Sequence, residues 1–256
     1  MENIMDVRHI AMTYHTPTAE TKAIEDISFS VDQGEFVSIV GPSGCGKSTL
    51  LSIICGLLKP SSGDILVKGV PREQNQASIG YMLQKDHLFE WRNIRQNALL
   101  GLEVQNKLDQ ESQAYVDTLL TQYGLKDFEN YRPSQLSGGM RQRAALIRTL
   151  ALKPEILLLD EPFSALDYQT RLFVADEIGT IIRKEEKTAL LITHDLSEAL
   201  SLSDRVIVLS KRPASVSHIH EIQLSVEART PMTSREAPEF RHYFNTIWKE
   251  LDIHGA

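Results

Sequence analysis

The sequence predicts an α/β fold, a parallel sheet covered on its faces by helices. Three observations carry that expectation. Strand-length apolar runs recur at Phe36 to Val40, Ile156 to Asp160, Ala189 to Thr193 and Arg205 to Leu209. Helical patterns lie between them, and strand–helix alternation is the pattern of a parallel sheet. The first run passes directly into Gly41-Pro42-Ser43-Gly44-Cys45-Gly46-Lys47-Ser48-Thr49, and that loop into an apolar helical pattern from Leu50 to Leu58.

Taken in order, Ile4 to Tyr14 and Ala23 to Val31 read as short alternating strands, and Asp32-Gln33-Gly34 as a turn. Pro60-Ser61-Ser62-Gly63 makes a second turn before a strand at Asp64 to Lys68. From about Leu88 to Leu152 the chain is helix-rich. Ala114, Leu119, Leu120 and Tyr123 share one apolar face, and Gly139 to Leu152 forms another element, with Arg141, Arg143 and Arg148 among its polar residues. Near the end, Phe240, Tyr243, Phe244, Ile247, Trp248 and Leu251 fall on one helical stripe. Packing on its own domain is the expected use of that stripe, and contact with a partner the alternative. No internal repeat or low-complexity linker interrupts the chain.

The 256 residues suffice for one large α/β domain or for a core with a smaller helical subdomain. A hydrophobic fraction of 42% allows a sizeable core. The net charge of −7 does not favour nucleic acid, whose phosphates call for a basic surface. No run approaches the roughly 20 apolar residues that cross a bilayer, and Glu2 and Asp6 break any hydrophobic start. The expectation is a soluble, cytoplasmic protein that reaches a membrane only through another chain. Cys45 and Cys55 lie outside any CxxC or Cys/His cluster, so neither zinc nor a disulfide framework is expected. Cys45 reads as a small residue filling a tight turn.

Gly41 to Ser48 fits G-x-x-x-x-G-K-[ST]. Its glycines let successive N–H groups converge on one anion, and the following helix adds its positive end. Lys47 can reach the β- and γ-phosphates of a nucleotide, and the Ser48 hydroxyl can bind Mg²⁺. A chance glycine turn is the alternative, but the flanking strand and helix are the context the motif requires. Asp160 and Glu161 end an apolar strand, where carboxylates are costly unless a cation or hydrogen bonds meet them. Strand alternation separates the two acids. Asp160 suits the Mg²⁺ shell and Glu161 suits orienting and deprotonating a water. Ser137-Gly138-Gly139 precedes a helix and offers a second anion site, or simply a helix cap.

With Leu136-Ser137-Gly138-Gly139-Met140-Arg141-Gln142-Arg143, the chain resembles the ATPases of ATP-binding cassette (ABC) transporters, whose signature this matches. Gln84 resembles the family's Q-loop, Ser164-Ala165-Leu166-Asp167 its D-loop, and His194 in Ile192-Thr193-His194-Asp195 its switch histidine. Tyr14 resembles the aromatic residue that stacks on adenine. The motifs follow the family's order from Tyr14 to about Leu209. The resemblance implies a P-loop core with an N-terminal antiparallel β portion and a helical subdomain inserted between Gln84 and the signature. It implies one domain over 1–256, with the helical part at about 88–152 and an amphipathic C-terminal helix at about 235–252.

The resemblance also implies roles. ATP would lie on Tyr14 and on Gly41, Pro42, Ser43, Gly44, Cys45, Gly46, Lys47, Ser48 and Thr49. Mg²⁺ would be held by Ser48, Gln84 and Asp160. Glu161, His194, Lys47 and Gln84 would be catalytic. Ser137, Gly138, Gly139 and Asp167 would meet nucleotide across a dimer with a second copy of the chain. Permease subunits, a separate solute-binding protein reached through them, and a peripheral place on the cytoplasmic face of the membrane follow in the same way. Leu88-Phe89-Glu90-Trp91-Arg92-Asn93, Lys211-Arg212-Pro213 and the closing segment from Glu239 to Leu251 are most similar to cassettes importing nitrate, sulfonate, taurine or thiamine precursors. Glu90 stands where those relatives usually have proline. The segment from Gln84 to Asn93 is expected to receive the permease. The rival readings are an ABC ATPase acting on DNA or ribosomes, which carries coiled-coil insertions or two cassettes, a P-loop kinase, which needs no signature, and an exporter cassette, usually fused to membrane spans.

Overall fold

The computed structural model describes residues 3–75, 79–164, 166–226 and 229–253. Glu2 and Ala165, named above, lie outside them. The chain forms two compact units, Met1–Ala77 with Gly179–Ala256, and Ser78–Ile178. In chain order the elements are β1 (Asn3–Thr16), β2 (Ala19–Asp32), β3 (Phe36–Val40), α1 (Lys47–Ile54), β4 (Ser62–Val67), β5 (Val70–Pro71) and β6 (Ile79–Met82). Next come α2 (Ile94–Val104), α3 (Gln110–Gln122), α4 (Gly138–Leu150), β7 (Ile156–Asp160) and α5 (Tyr168–Lys184). The chain closes with β8 (Thr188–Ile192), α6 (Leu196–Leu202), β9 (Arg205–Leu209), β10 (Ala214–Glu221), α7 (Pro231–Glu236) and α8 (Pro238–Ile253).

The first unit holds a mixed sheet. Its parallel part is β9-β3-β8, with Ile39 paired to Ile207 on one side and Ile192 on the other. Every residue of β3 and β8 is buried, which is why these strands read as unbroken apolar runs. Its antiparallel part joins β1 to β2 and to β4. There burial alternates along the strands, as expected where one face meets water. β10 links the two parts, parallel to β2 and antiparallel to β9.

α1 ends earlier than the apolar pattern to Leu58 predicts. Cys55 caps it and Gly56 follows at φ +80°, the left-handed conformation that stops helices and that glycine adopts without a Cβ clash. At the other end of the chain, α8 sends Phe240 and Ile247 into a core shared with Leu196, Leu200, Val206 and Val208. Trp248, placed on the same stripe by spacing, is 56% exposed and stacks on Phe244. Arg229 fastens the segment between β10 and α7. Its guanidinium donates to the carbonyls of Leu200, Ser203 and Ile222, and burial lowers its pKa to about 10.

In the second unit β6 runs parallel to β7, from Ile79 opposite Ile156 to Met82 opposite Leu159. α4 buries Ala144, Ala145, Leu146, Ile147 and Leu150. On α3 the buried residues are Val116, Leu119 and Leu120, with Tyr123 just beyond. Ala114, expected on that face, is exposed, and Val116 takes the inward position. α2 starts from a capping box in which Asn93 accepts from Gln96 N–H and the Gln96 side chain accepts from Asn93 N–H.

Candidate functional site

In the first unit the glycine-rich loop leaves β3 at Val40 and closes on α1. Gly44 and Gly46 have φ of +73° and +122°. A Cβ on Gly46 would also lie 3.1 Å from the Ala23 carbonyl oxygen, so both conformation and space call for glycine there. Lys47 is the first residue of α1 and is only 7% exposed. Its Nζ donates to the carbonyls of Gly41 at 2.8 Å and Pro42 at 3.0 Å, so the loop wraps its own cation. Ser43, Gly44 and Ser48 are exposed, while Cys45 is buried and burial pushes its thiol pKa up. Tyr14 is 38% exposed, and its hydroxyl lies 3.2 Å from Thr49 Oγ1. His194 is exposed just after β8. Its neighbours are fixed: Thr193 Oγ1 donates to Glu198, and Asp195 caps α6 through the N–H groups of Ser197 and Glu198.

In the second unit the two acids have different surroundings. Asp160 is the last residue of β7 and 7% exposed, and its Oδ2 accepts from the Tyr81 hydroxyl at 3.2 Å. Glu161 turns out of the strand at φ +44°, and its Oε2 accepts from Gln84 Nε2 at 3.0 Å. Ser137 caps α4 by accepting from Met140 N–H. A Cβ on Gly139 would lie 2.9 Å from Thr170 Cγ2, so α4 approaches α5 through bare backbone. Asp167 is exposed, and hydrogen bonds from the Thr170 side chain and then from the Thr170 N–H hold its carboxyl below the usual range. Tyr81 is the residue the sequence reading missed. Its reach to Asp160 depends on the β6–β7 register.

Whether these groups fit a magnesium nucleotide can be tested on their chemistry. Ser48, Gln84 and Asp160 offer hydroxyl, amide and carboxylate oxygens, the hard donors magnesium takes together with phosphate. The loop offers bare backbone and a held ammonium at a helix start, which suit phosphate.

A family model described as ABC transporter matches residues 24–164. An uncharacterized ABC transporter ATP-binding protein, YtlC of Bacillus subtilis (strain 168), is 47% identical over 250 residues, covering 98% of this chain and 96% of the relative. This chain belongs to the ABC transporter family.

The ABC chain is an ATP-binding subunit in type. It is also similar to the taurine import ATP-binding protein TauB of Jannaschia sp., 40% identical over 82% of this chain and 79% of the relative. The nitrate import ATP-binding protein NrtD of Synechococcus elongatus is 40% identical over 80% of this chain and 76% of the relative. Among solved structures, the dimeric ATP-binding cassette MJ0796 in a post-hydrolysis state with ADP and Pi matches with a TM-score of 0.75 and 29% identity. That match covers 86% of this chain and 99% of the cassette.

Proposed function

We propose that this ABC subunit hydrolyses ATP to drive import of a small solute of the nitrate, sulfonate, taurine or thiamine-precursor kind through a separate permease. The observation that carries hydrolysis is the pair of acids at the end of β7, each held by its own donor. Asp160 is buried and Glu161 turns away from the ladder. Two carboxylates in separate surroundings can serve metal binding and water activation separately. The names of the taurine and nitrate import relatives support the direction of transport and the solute class.

In this reading water attacks the γ-phosphate in line. Glu161 orients that water and takes its proton. Lys47 and the loop N–H groups stabilise charge on the phosphates, His194 holds the γ-phosphate, and Tyr14 stacks on adenine. Magnesium, held by Ser48, Asp160 and Gln84, would neutralise the phosphate oxygens. Ser137, Gly138, Gly139 and Asp167 serve the nucleotide of a second copy, and the dimeric cassette at 29% identity supports that pairing. ATP that contacts both copies has a higher affinity for the closed pair, so binding drives closure. Among the described residues no helix is long and apolar enough to cross a membrane. The permease, with its solute-binding protein, would hold this subunit at the cytoplasmic face.

The test is Glu161→Gln. The amide keeps the shape and can still accept from Gln84, but it cannot take a proton. ATP binding should persist while turnover falls at least about a hundredfold, the scale of a lost general base, and an ATP-bound dimer should accumulate. Near-normal steady-state ATPase activity would remove Glu161 from this role.

A further inference from the structure

We propose that Tyr81 is a positioning residue for the magnesium site, aiming the Asp160 carboxylate through its hydroxyl. This rests on the reading that Asp160 serves the metal. Tyr81 pairs with Leu158 across the parallel β6–β7 ladder, and paired residues share a face. Asp160 lies two residues beyond Leu158, hence on that same face and about 7 Å further along the strand. A tyrosine reaches that far, and its hydroxyl donates to Asp160 Oδ2 at 3.2 Å.

The chemistry gives that bond a use. Asp160 is only 7% exposed, and a buried carboxylate needs hydrogen-bond donors to remain charged and in one rotamer. A metal-binding carboxylate with one oxygen anchored presents the other in a fixed direction, and such supporting bonds tune metal affinity. Phenylalanine would fill the same space with no donor, and serine or threonine would fall short. Gln84 leaves the same strand and donates to Glu161. One short segment, from Tyr81 to Gln84, thus supplies a donor to each of the two acids.

The experiment compares ATP affinity with magnesium and with chelator, by calorimetric titration of wild-type protein, Tyr81→Phe and Asp160→Asn. Tyr81→Phe should leave metal-free ATP affinity within about twofold and cut the gain conferred by magnesium about tenfold, the lower end of what losing such a supporting bond costs. The magnesium concentration giving half-maximal ATPase activity should rise in step. In the Asp160→Asn background, Tyr81→Phe should add nothing. Tyr81→Leu, which lacks the donor in a different shape, should repeat the selective loss if Tyr81→Phe folds poorly. An unchanged magnesium gain in Tyr81→Phe, or equal losses in both arms, would overturn the proposal and leave the tyrosine as packing. A normal magnesium gain in Asp160→Asn would instead overturn the role given to Asp160 itself.

Discussion

Lys47 is a cation held inside its own loop. It is 7% exposed, and the carbonyls of Gly41 and Pro42 accept from its ammonium at 2.8 and 3.0 Å. These bonds compensate a charge that burial would otherwise make costly. They also hold the charge at the centre of the loop, where phosphate is proposed to bind. Lys47→Ala removes both the charge and the tie. A charge-assisted hydrogen bond is worth about 1.5–3 kcal/mol, so ATP affinity should fall at least about tenfold. Lys47→Arg should not rescue it, because a planar guanidinium cannot replace a compact ammonium between two carbonyls. Calorimetric titration decides this, and unchanged affinity in Lys47→Ala would contradict it. Glu161 shows a different economy at the same scale. Its φ of +44° costs on the order of 1 kcal/mol for a residue with a Cβ. The turn carries its carboxylate out of the strand to Gln84.

At the scale of elements, α8 separates what spacing reveals from what packing decides. Six apolar residues share its stripe, yet Ile247 is fully buried and Trp248 is 56% exposed. Ile247→Ala should cost about 2–5 kcal/mol through lost burial and a residual cavity. Trp248→Ala should cost about 1 kcal/mol or less, mostly its stack on Phe244. Urea unfolding of the two variants checks this, and equal losses would show that the stripe is buried throughout. The elements that the sequence made legible share a physical cause. β3, β7, β8 and β9 are buried parallel strands, so their apolar runs stand out. The loop after β3 stands out because its backbone demands glycine. β10 escaped because it carries Ser215, Ser217, His218 and His220 and is held in part by β2 and α8, which are distant in sequence. Its neighbours are β2 and β9, and Glu250 of α8 lies 2.8 Å from His220 Nε2. The Tyr81–Asp160 bond escaped for a related reason. The residue types are visible in the sequence, but the register that joins them is not.

At the scale of the whole molecule, the proposed function requires work done on ATP to reach the permease, and the segment after Gln84 is the proposed contact. By composition, Leu88, Phe89 and Trp91 suit either a core or an interface. The structure divides them: Leu88 is buried, while Trp91 is 69% exposed and stacked flat on Phe89 at 4.6 Å. The backbone beneath is held rigidly. Buried Asn97 accepts from Phe89 N–H and donates to the carbonyls of Phe89, Arg92 and Asn93. Glu90 accepts from Ser134 N–H at 3.1 Å, and Arg92 pairs with Glu103 at 2.7 Å. An exposed tryptophan on a fixed backbone loses little entropy on binding, and tryptophan is enriched where interfaces concentrate their energy. Seven residues earlier, Gln84 bonds to Glu161, so one short segment carries the proposed contact at one end and touches the proposed base at the other. A permease that shifts this segment can bias the base, and the coupling is reciprocal. Trp91→Ala should therefore leave ATPase activity of the isolated subunit within about twofold. It should weaken assembly with the permease by about 2 kcal/mol, or roughly thirtyfold, and uncouple hydrolysis from solute in reconstituted vesicles. Unimpaired transport by that variant would sink the docking assignment. A fall in urea midpoint with no effect specific to the permease would do the same, and would return Trp91 to the fold.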